Sequence, residues 1–257
     1  MAETLVRSAV AGGVATLTLD SPDNRNALSS ALIADLVTAL ETAAADPAVR
    51  VIVLSHTGSV FCSGADLKET ATALASGQVP AGRMGEALAA VGDSPKPVVA
   101  RVGGAARAGG LGLIAAADIA VCSTVATFAF TEVRLGVIPA VISATVLPRL
   151  SNRAAADLFL TGDTFNGLRA AEVGLVTAAV PDEQLDATVD HYVGSLLRGA
   201  PGALAAAKRL LRDRTHSRPL TEELAELTAL SVSFFTSDEG REGVRAFAEK
   251  RNPSWMP

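Results

Sequence analysis

The segment VIVLSHTGSVFCSGADLK, residues 51–68, contains the order of elements that decides the fold. Val51–Ser55 is a short apolar run typical of a buried strand, the loop Gly58–Gly64 turns the chain, and a helix is predicted from Ala65. The same order returns in PVVARVGGAARAGGLGLIAAA, residues 97–117, where a second helix is expected over Leu111–Ala117. Strands that alternate with helices at this spacing predict an α/β chain with a largely buried sheet.

The flanking segments extend this pattern in both directions. Leu5–Asp20 alternates around two glycines and predicts a β-hairpin, and Ser29 or Ser30 is a candidate cap for the helix that follows. A third pair of strands is expected at Ile119–Ser123 and Thr127–Phe130. After Val180 only helices are predicted, over Glu183–Leu197, Pro201–Asp213, Thr221–Phe234 and Asp238–Glu249.

Composition excludes several classes of protein. Half of the 257 residues are apolar, so the chain is not disordered, and its net charge of −5 argues against a nucleic-acid partner. The apolar runs are shorter than the roughly 20 residues that a membrane span needs, and we expect a cytoplasmic protein with no membrane partner. Two cysteines without a CxxC motif indicate reduced thiols. A mean hydropathy of +0.34 hints at apolar surface buried between subunits.

Two glycine-bearing turns could bind a negative oxygen with backbone N–H groups. In FCSGADLK (61–68) small residues lead from a strand into a helix, and in GGAARAGGLG (103–112) adjacent glycines let a ligand approach the backbone. The alternative for the first segment is an ordinary βα turn, which that segment alone favours, and the alternative for the second is tight helix–sheet packing. The glycine spacing does not match the GxGxxG dinucleotide motif, and there is no P-loop GK[ST].

Glu132 is the candidate acid/base because it is a single carboxylate among apolar residues in TFAFTEVRLGVIP (127–139). Burial there would raise its pKa, which suits proton transfer near neutral pH. The alternative is a strand-end glutamate paired with Arg134, since residues two apart share a face of an extended segment.

Taken together, the motifs NRNAL (24–28), FCSGADLK (61–68), AGGLG (108–112) and TEVRLGVIP (131–139) resemble the crotonase, or enoyl-CoA hydratase/isomerase, superfamily. The resemblance continues in EGVRAFAEKRNPSW (242–255), so it spans nearly the whole chain in order. It is specific for the family and unspecific for the reaction.

The resemblance implies a spiral of ββα units over residues 1–195 that carries the CoA-thioester site. A C-terminal helical region, residues 196–257, would build a homotrimer or homohexamer. The substrate would be an acyl-CoA, with coenzyme A as part of the substrate, and neither a separate cofactor nor a metal is expected.

Matching the motifs residue by residue places two oxyanion N–H groups at Ala65 and Gly109 and proton transfer at Glu132. The resemblance also implies a set of residues that bind the substrate or its CoA moiety. These are Arg25, Ala27, Leu28, Ser63, Gly64, Asp66, Leu67, Gly110, Gly112, Thr131, Pro139, Phe247 and Lys250.

One position departs from the family pattern. Hydratases of this family hold a water between two glutamates, and Gly112 stands where the first would be, which leaves Glu132 alone. A hydratase that uses one carboxylate is the leading interpretation, and TEVRLGVIPAVIS (131–143) resembles family members that hydrate branched glutaconyl-type CoA esters. A Δ3-Δ2 isomerase needs only one base, and a non-catalytic acyl-CoA binder is the alternative outside catalysis.

Overall fold

The computed structural model describes residues 4–75, 83–212, 220–235 and 237–256. The last residue of the helix predicted over Pro201–Asp213 lies outside the described residues. None of the helices within these ranges is long and apolar enough to cross a membrane.

A six-stranded sheet forms the larger layer of the fold. Its strands are β1 (Val6–Ala11), β2 (Val14–Leu19), β3 (Val51–His56), β5 (Val98–Val102), β7 (Ile119–Ser123) and β10 (Ala178–Val180). They lie side by side in that order. The predicted hairpin is confirmed as the antiparallel pair β1–β2, and every later pairing in this sheet is parallel.

A smaller four-stranded sheet lies beside the larger one. Its strands, in spatial order, are β4 (Val60–Cys62), β6 (Ala105–Arg107), β8 (Thr127–Ala129) and β9 (Phe165–Asn166). The chain passes three times from the large sheet to the small one, through β3–β4, β5–β6 and β7–β8. This arrangement confirms the expected spiral of ββα units. The two strands of the third predicted pair, β7 and β8, therefore belong to different sheets and are not hydrogen-bonded to each other.

Eleven helices are described around the sheets. They are α1 (Ser30–Ala45), α2 (Leu67–Ala75), α3 (Met84–Gly92), α4 (Gly109–Ala116), α5 (Ala140–Val146), α6 (Asn152–Thr161), α7 (Gly167–Glu172), α8 (Asp182–Leu197), α9 (Pro201–Arg212), α10 (Leu220–Phe235) and α11 (Asp238–Glu249). Short 3-10 turns occupy Pro22–Asn24, Glu132–Leu135 and Leu147–Arg149. The Ser29 hydroxyl caps α1 by accepting from the Leu32 N–H at 3.2 Å, as predicted.

The large sheet is buried on both faces. Val51, Val53, Val99 and Val121 pack against one side of α8, whereas Ile52 and Leu54 alternate onto the other face and join the main core. All eight residues of α4 are buried, so this helix runs through the centre of the molecule. Because α8 ends at Leu197, the predicted core boundary at residue 195 falls inside a helix that covers the sheet.

Cations from distant parts of the chain bind the carbonyl groups at several helix ends. The Lys96 Nζ donates to the Ala43 carbonyl of α1 at 2.7 Å. The Arg149 guanidinium donates to the Ala115 and Ala117 carbonyls at the end of α4, at 3.1 and 3.0 Å. The last carbonyls of a helix carry partial negative charge and lack partners within it, so these contacts stabilise each terminus.

Two other cations join the C-terminal helices to the core. Lys208 of α9 is 7% exposed, donates to the Val91 carbonyl of α3 and pairs with Asp118 at 2.7 Å. Arg50 donates to the carbonyls of Gly199 at 2.6 Å and Trp255 at 2.8 Å. The helical region after α8 is therefore bonded to the core through the buried Lys208 and the half-buried Arg50.

Candidate active site

A cavity of about 260 Å³ lies between α1, α2, the start of α3 and the turn that carries Glu132, with a lining that is largely apolar. The lining residues are Leu28, Ser30 and Ile33, Ala65, Asp66, Glu69 and Thr70, Arg83 and Met84, Glu132, and residues 137–142. Five predicted site residues are among them, namely Leu28, Ala65, Asp66, Glu132 and Pro139.

The turns that carry Ala65 and Gly109 lie against each other. A Cβ atom added to Gly64 would be 2.9 Å from the Ala108 Cβ and 3.5 Å from the Gly109 N, and Gly64 has a φ of +89°. Gly109 is the first residue of α4, and Ala65 forms a parallel bridge with Leu28. Among the hydrogen bonds of the described residues, neither the Ala65 N–H nor the Gly109 N–H donates to a protein acceptor. Two unused donors at neighbouring turns fit the predicted oxyanion site.

Close packing explains the glycine at position 109. An added Cβ there would lie 2.7 Å from the Met84 Cε and 2.8 Å from the Leu28 Cδ1, and both of those side chains line the cavity. The preceding residue, Ala108, has a φ of +47°, which is unfavourable for a residue with a Cβ. Strain of this kind is concentrated at functional sites, where the surrounding structure enforces it.

Asn26 is a structural residue of the site that sequence reasoning missed, although the NRNAL motif contains it. It is fully buried, donates to the Thr57 and Val60 carbonyls at 3.1 and 2.8 Å, and accepts from the Ser21 N–H at 2.8 Å. These bonds fix the loop that delivers Leu28 to the cavity. Arg25 is exposed beside it, with a φ of +53°.

The carboxylate of Asp66 is occupied by structural hydrogen bonds. Its Oδ1 accepts from the Lys68 and Glu69 N–H groups at the start of α2, and its Oδ2 accepts from the Asn24 amide at 2.7 Å. These bonds, first the one from Glu69, lower the pKa of Asp66 and keep it ionised. They also explain why α2 begins at Leu67, two residues later than predicted.

A polar cluster of Ser30, Glu69 and Arg83 borders the cavity and was also missed. The Glu69 carboxylate accepts from the Ser30 N–H at 2.8 Å and from the Ser30 hydroxyl. The Arg83 guanidinium donates to the Ser30 carbonyl at 3.2 Å. The three residues come from α1, α2 and the start of α3, and no local motif links them.

Glu132 lies in a 3-10 turn and not in an extended segment. Its Oε2 is buried without a hydrogen-bond partner in the described structure, and burial raises the pKa of the carboxyl. The alternative pairing with Arg134 is wrong, since that guanidinium pairs with Asp163 and donates to the Thr161 carbonyl. The 3-10 turn removes the shared face on which that pairing depended.

No space remains at Gly112 for a second acid. A Cβ there would lie 2.7 Å from the Ile142 Cγ2 and 3.2 Å from the Leu88 Cδ2. Ile142 lines the cavity, so Gly112 sits behind this wall instead of facing the substrate space. Gly110 packs as closely on the Cys62 carbonyl oxygen, at 2.6 Å from an added Cβ.

The remaining predicted substrate-binding residues do not line the cavity. Six of them are close in sequence to residues that do, namely Arg25, Ala27, Ser63, Gly64, Leu67 and Thr131. Gly110 and Gly112 belong to α4, and the predicted oxyanion residue Gly109 of the same helix does not line the cavity either. Phe247 is 88% exposed near the end of α11, and Lys250 is the residue that ends this helix. Their roles in CoA binding stay predictions. The described residues contain no group of three or more histidine, cysteine or carboxylate side chains that could hold a metal ion.

Comparison with known proteins agrees with the motifs and the fold. The model of the enoyl-CoA hydratase/isomerase family matches residues 9–257. An enoyl-CoA hydratase of Mycobacterium tuberculosis is 32% identical over 250 residues, which cover 95% of this chain and 94% of that protein. The structure of an enoyl-CoA hydratase from Mycobacterium avium is 46% identical with a TM-score of 0.75, covering 99% of this chain and 100% of that one. The structure of an enoyl-CoA hydratase from Shewanella pealeana is 31% identical with a TM-score of 0.92, and the match covers 98% of this chain and 96% of that one. The chain belongs to the enoyl-CoA hydratase/isomerase family and has the crotonase fold.

Proposed function

We propose that this protein is an enoyl-CoA hydratase that adds water to the double bond of a CoA thioester, or removes it, with Glu132 as the acid/base. The observation that carries the proposal is the buried Glu132 Oε2, which has no partner in the described structure and belongs to the same cavity as Ala65. No protein donor holds this oxygen, and burial raises the pKa of the carboxyl group, so Glu132 takes up a proton more readily than an exposed glutamate does.

The proposed reaction uses two features of the site. Glu132 takes a proton from water while the water oxygen bonds to the β-carbon, and the electrons of the double bond move onto the thioester oxygen as an enolate. The Ala65 and Gly109 N–H groups donate to that oxygen, and one such donor is worth about 3 kcal/mol of the barrier. Protonated Glu132 then delivers its proton to the α-carbon, so that one carboxylate serves both proton transfers.

The other cavity carboxylates are poor candidates for this role. Asp66 and Glu69 are held by hydrogen bonds to helix N–H groups or to Ser30. The pKa of Asp66 is lowered whereas that of Glu132 is raised. A raised pKa lies closer to the operating pH, which favours a group that both accepts and returns a proton.

A second candidate is a Δ3-Δ2 isomerase, favoured by the packing at Gly112. Ile142 and Leu88 occupy the space that a second glutamate would need. An isomerase requires one base, which removes a proton from the α-carbon of a 3-enoyl ester to give a dienolate and returns the proton to the γ-carbon. The two reactions share the oxyanion site and differ in whether water enters.

The test compares Glu132→Gln with the parent on 2-enoyl-CoA and 3-enoyl-CoA esters of several chain lengths, including a branched glutaconyl-type ester. We expect the loss of the enoyl-thioester absorbance of 2-enoyl esters in the parent and at least a hundredfold lower rate in the variant. The control Glu183→Gln changes an exposed glutamate at the start of α8. Full activity of Glu132→Gln would remove its assigned role.

The pattern of turnover separates the alternatives. A gain of enoyl absorbance on 3-enoyl esters, without hydration of 2-enoyl esters, would select the isomerase. Binding of acyl-CoA in calorimetry without turnover of any ester would select the non-catalytic binder.

We also propose that the chain forms a cytoplasmic homotrimer or homohexamer through its C-terminal helices. Large apolar side chains there are exposed, including Leu211 at 74% and Phe247 at 88%. Apolar exposure of this extent on neighbouring helices is typical of surfaces that associate. Sedimentation equilibrium measures the assembly, and a monomer at micromolar concentration would contradict the proposal.

A further inference from the structure

The turn that carries Glu132 is attached to α6 on both of its sides. Before the turn, Phe130 packs on Phe159 of α6, with ring centroids 4.5 Å apart. The glycine that ends this helix, Gly162, lies so close that an added Cβ would be 3.0 Å from the Phe130 carbonyl oxygen.

After the turn, the attachment is polar. The Arg134 Nε donates to the Thr161 carbonyl at 3.1 Å, and its Nη2 pairs with the Asp163 carboxylate. Thr161 is the last residue of α6, so the guanidinium also meets the negative end of that helix. Arg134 and Asp163 are 55% and 69% exposed, which makes their pairing a minor source of stability.

From this arrangement we propose that Arg134, held by Asp163 and the end of α6, is a positioning residue that keeps the Glu132 carboxylate in place in the cavity. The aromatic contact fixes the chain before Glu132, and the arginine fixes it two residues later. Glu132 is therefore held between two points of one rigid helix. The proposal rests on the function proposed above, because it concerns the same carboxylate.

Loss of this attachment has a specific consequence for Glu132. A loosened turn moves the carboxylate from its place and admits water around it, which removes part of the burial that raises its pKa. The other charged groups of the described structure that line its cavity are Asp66, Glu69 and Arg83. Loss of the Arg134 charge by itself would raise the pKa of Glu132. A lower pKa of Glu132 would therefore indicate that its carboxylate has moved, because the lost charge acts in the opposite direction.

The experiment measures kcat, KM and the acidic limb of the pH–rate profile for Arg134→Met, Arg134→Lys and Asp163→Asn. We expect kcat to fall roughly ten- to hundredfold in Arg134→Met with KM little changed, since small displacements of a reacting group have effects of this size. The acidic limb should move to lower pH. Lysine keeps the charge but cannot donate from two nitrogens of a planar guanidinium, so Arg134→Lys should recover only part of the rate.

The matched control is Arg169→Met. Arg169 forms exposed ion pairs with Asp157 of α6 at 3.5 Å and with Glu172 at 2.8 Å, and none of its hydrogen bonds or ion pairs in the described structure reaches the Glu132 turn. Kinetics of Arg134→Met equal to those of this control would overturn the proposal. A lower kcat with an unmoved or raised acidic limb would also overturn it, because that result indicates only general destabilisation or lost charge. Full activity of Glu132→Gln would instead refute the proposed function.

Discussion

Gly112 provides the sharpest test of the packing around the site. In most helices glycine-to-alanine replacement is favourable by about 1 kcal/mol, because alanine is the better helix former. At position 112 the new methyl group would meet the Ile142 Cγ2 at 2.7 Å and the Ile142 Cβ at 3.1 Å, both far inside normal contact. Overpacking of a buried site costs about 1–3 kcal/mol. We therefore expect Gly112→Ala to lower the free energy of unfolding by up to about 2 kcal/mol.

A double-mutant cycle isolates the contact with Ile142. Leucine has no methyl group on its Cβ, so Ile142→Leu removes the nearest obstacle at nearly constant volume, at a cost below about 1.5 kcal/mol. The double variant Gly112→Ala/Ile142→Leu should be more stable than the sum of the single changes predicts, by at least about 0.5 kcal/mol. Urea unfolding followed by circular dichroism gives each free energy.

Gly194 is the matched control for helix propensity. It lies in α8, where an added Cβ would meet nothing within 4 Å, so Gly194→Ala should stabilise the protein. If Gly112→Ala stabilised the protein equally, or if the cycle showed no coupling, the packing explanation would be refuted. Gly112→Glu should not restore a two-carboxylate site, because Ile142 occupies the space between position 112 and the cavity.

Two further predictions concern buried charge. The His56 Nε2 accepts from the Gly103 N–H at 3.1 Å, and burial lowers the pKa of the ring, so the folded protein binds a proton less readily than the unfolded chain. The free energy of unfolding should therefore fall as pH decreases below about 6.5, by at most about 1.4 kcal/mol per pH unit. Urea unfolding at pH 7.5 and 5.5 measures this decrease, which should be smaller in His56→Gln. Lys208→Met should destabilise the protein by about 3 kcal/mol because it leaves the Asp118 carboxylate without its ion-pair partner. The double variant Lys208→Met/Asp118→Asn should recover part of that stability in the same assay. Equal stability of the single and double variants would contradict the explanation that an unpaired Asp118 carboxylate causes the loss.

The sequence predicted the elements whose signals are local and periodic. Val51–Ser55 became β3, the hairpin formed around its two glycines, and Ser29 capped α1. The strands β4 and β6 were missed because each has three residues and lies within a glycine-bearing turn. Strands of that length have no measurable alternation, and only the parallel pairing between distant turns defines them.

The site shows the same contrast between local motifs, which could be predicted, and contacts between distant segments, which could not. The proximity of the Ala65 and Gly109 turns and the burial of Glu132 agree with motifs that can be read directly. The partner of Arg134 was mispredicted because the pairing assumed an extended backbone, whereas Glu132–Leu135 forms a 3-10 turn. The Ser30–Glu69–Arg83 cluster depends on three helix ends that meet only in the folded chain.

The bond between Arg50 and Trp255 also has a consequence for synthesis of the chain. The two residues are 205 positions apart, which a ribosome adding about 5–20 residues per second needs about 10–40 s to cover. Until then the guanidinium lacks one of its carbonyl acceptors and must remain hydrated at the start of β3. The nascent chain therefore leaves the Arg50 guanidinium partly solvated until translation is nearly complete, and a truncation that removes Trp255 would leave it without that acceptor for the lifetime of the protein.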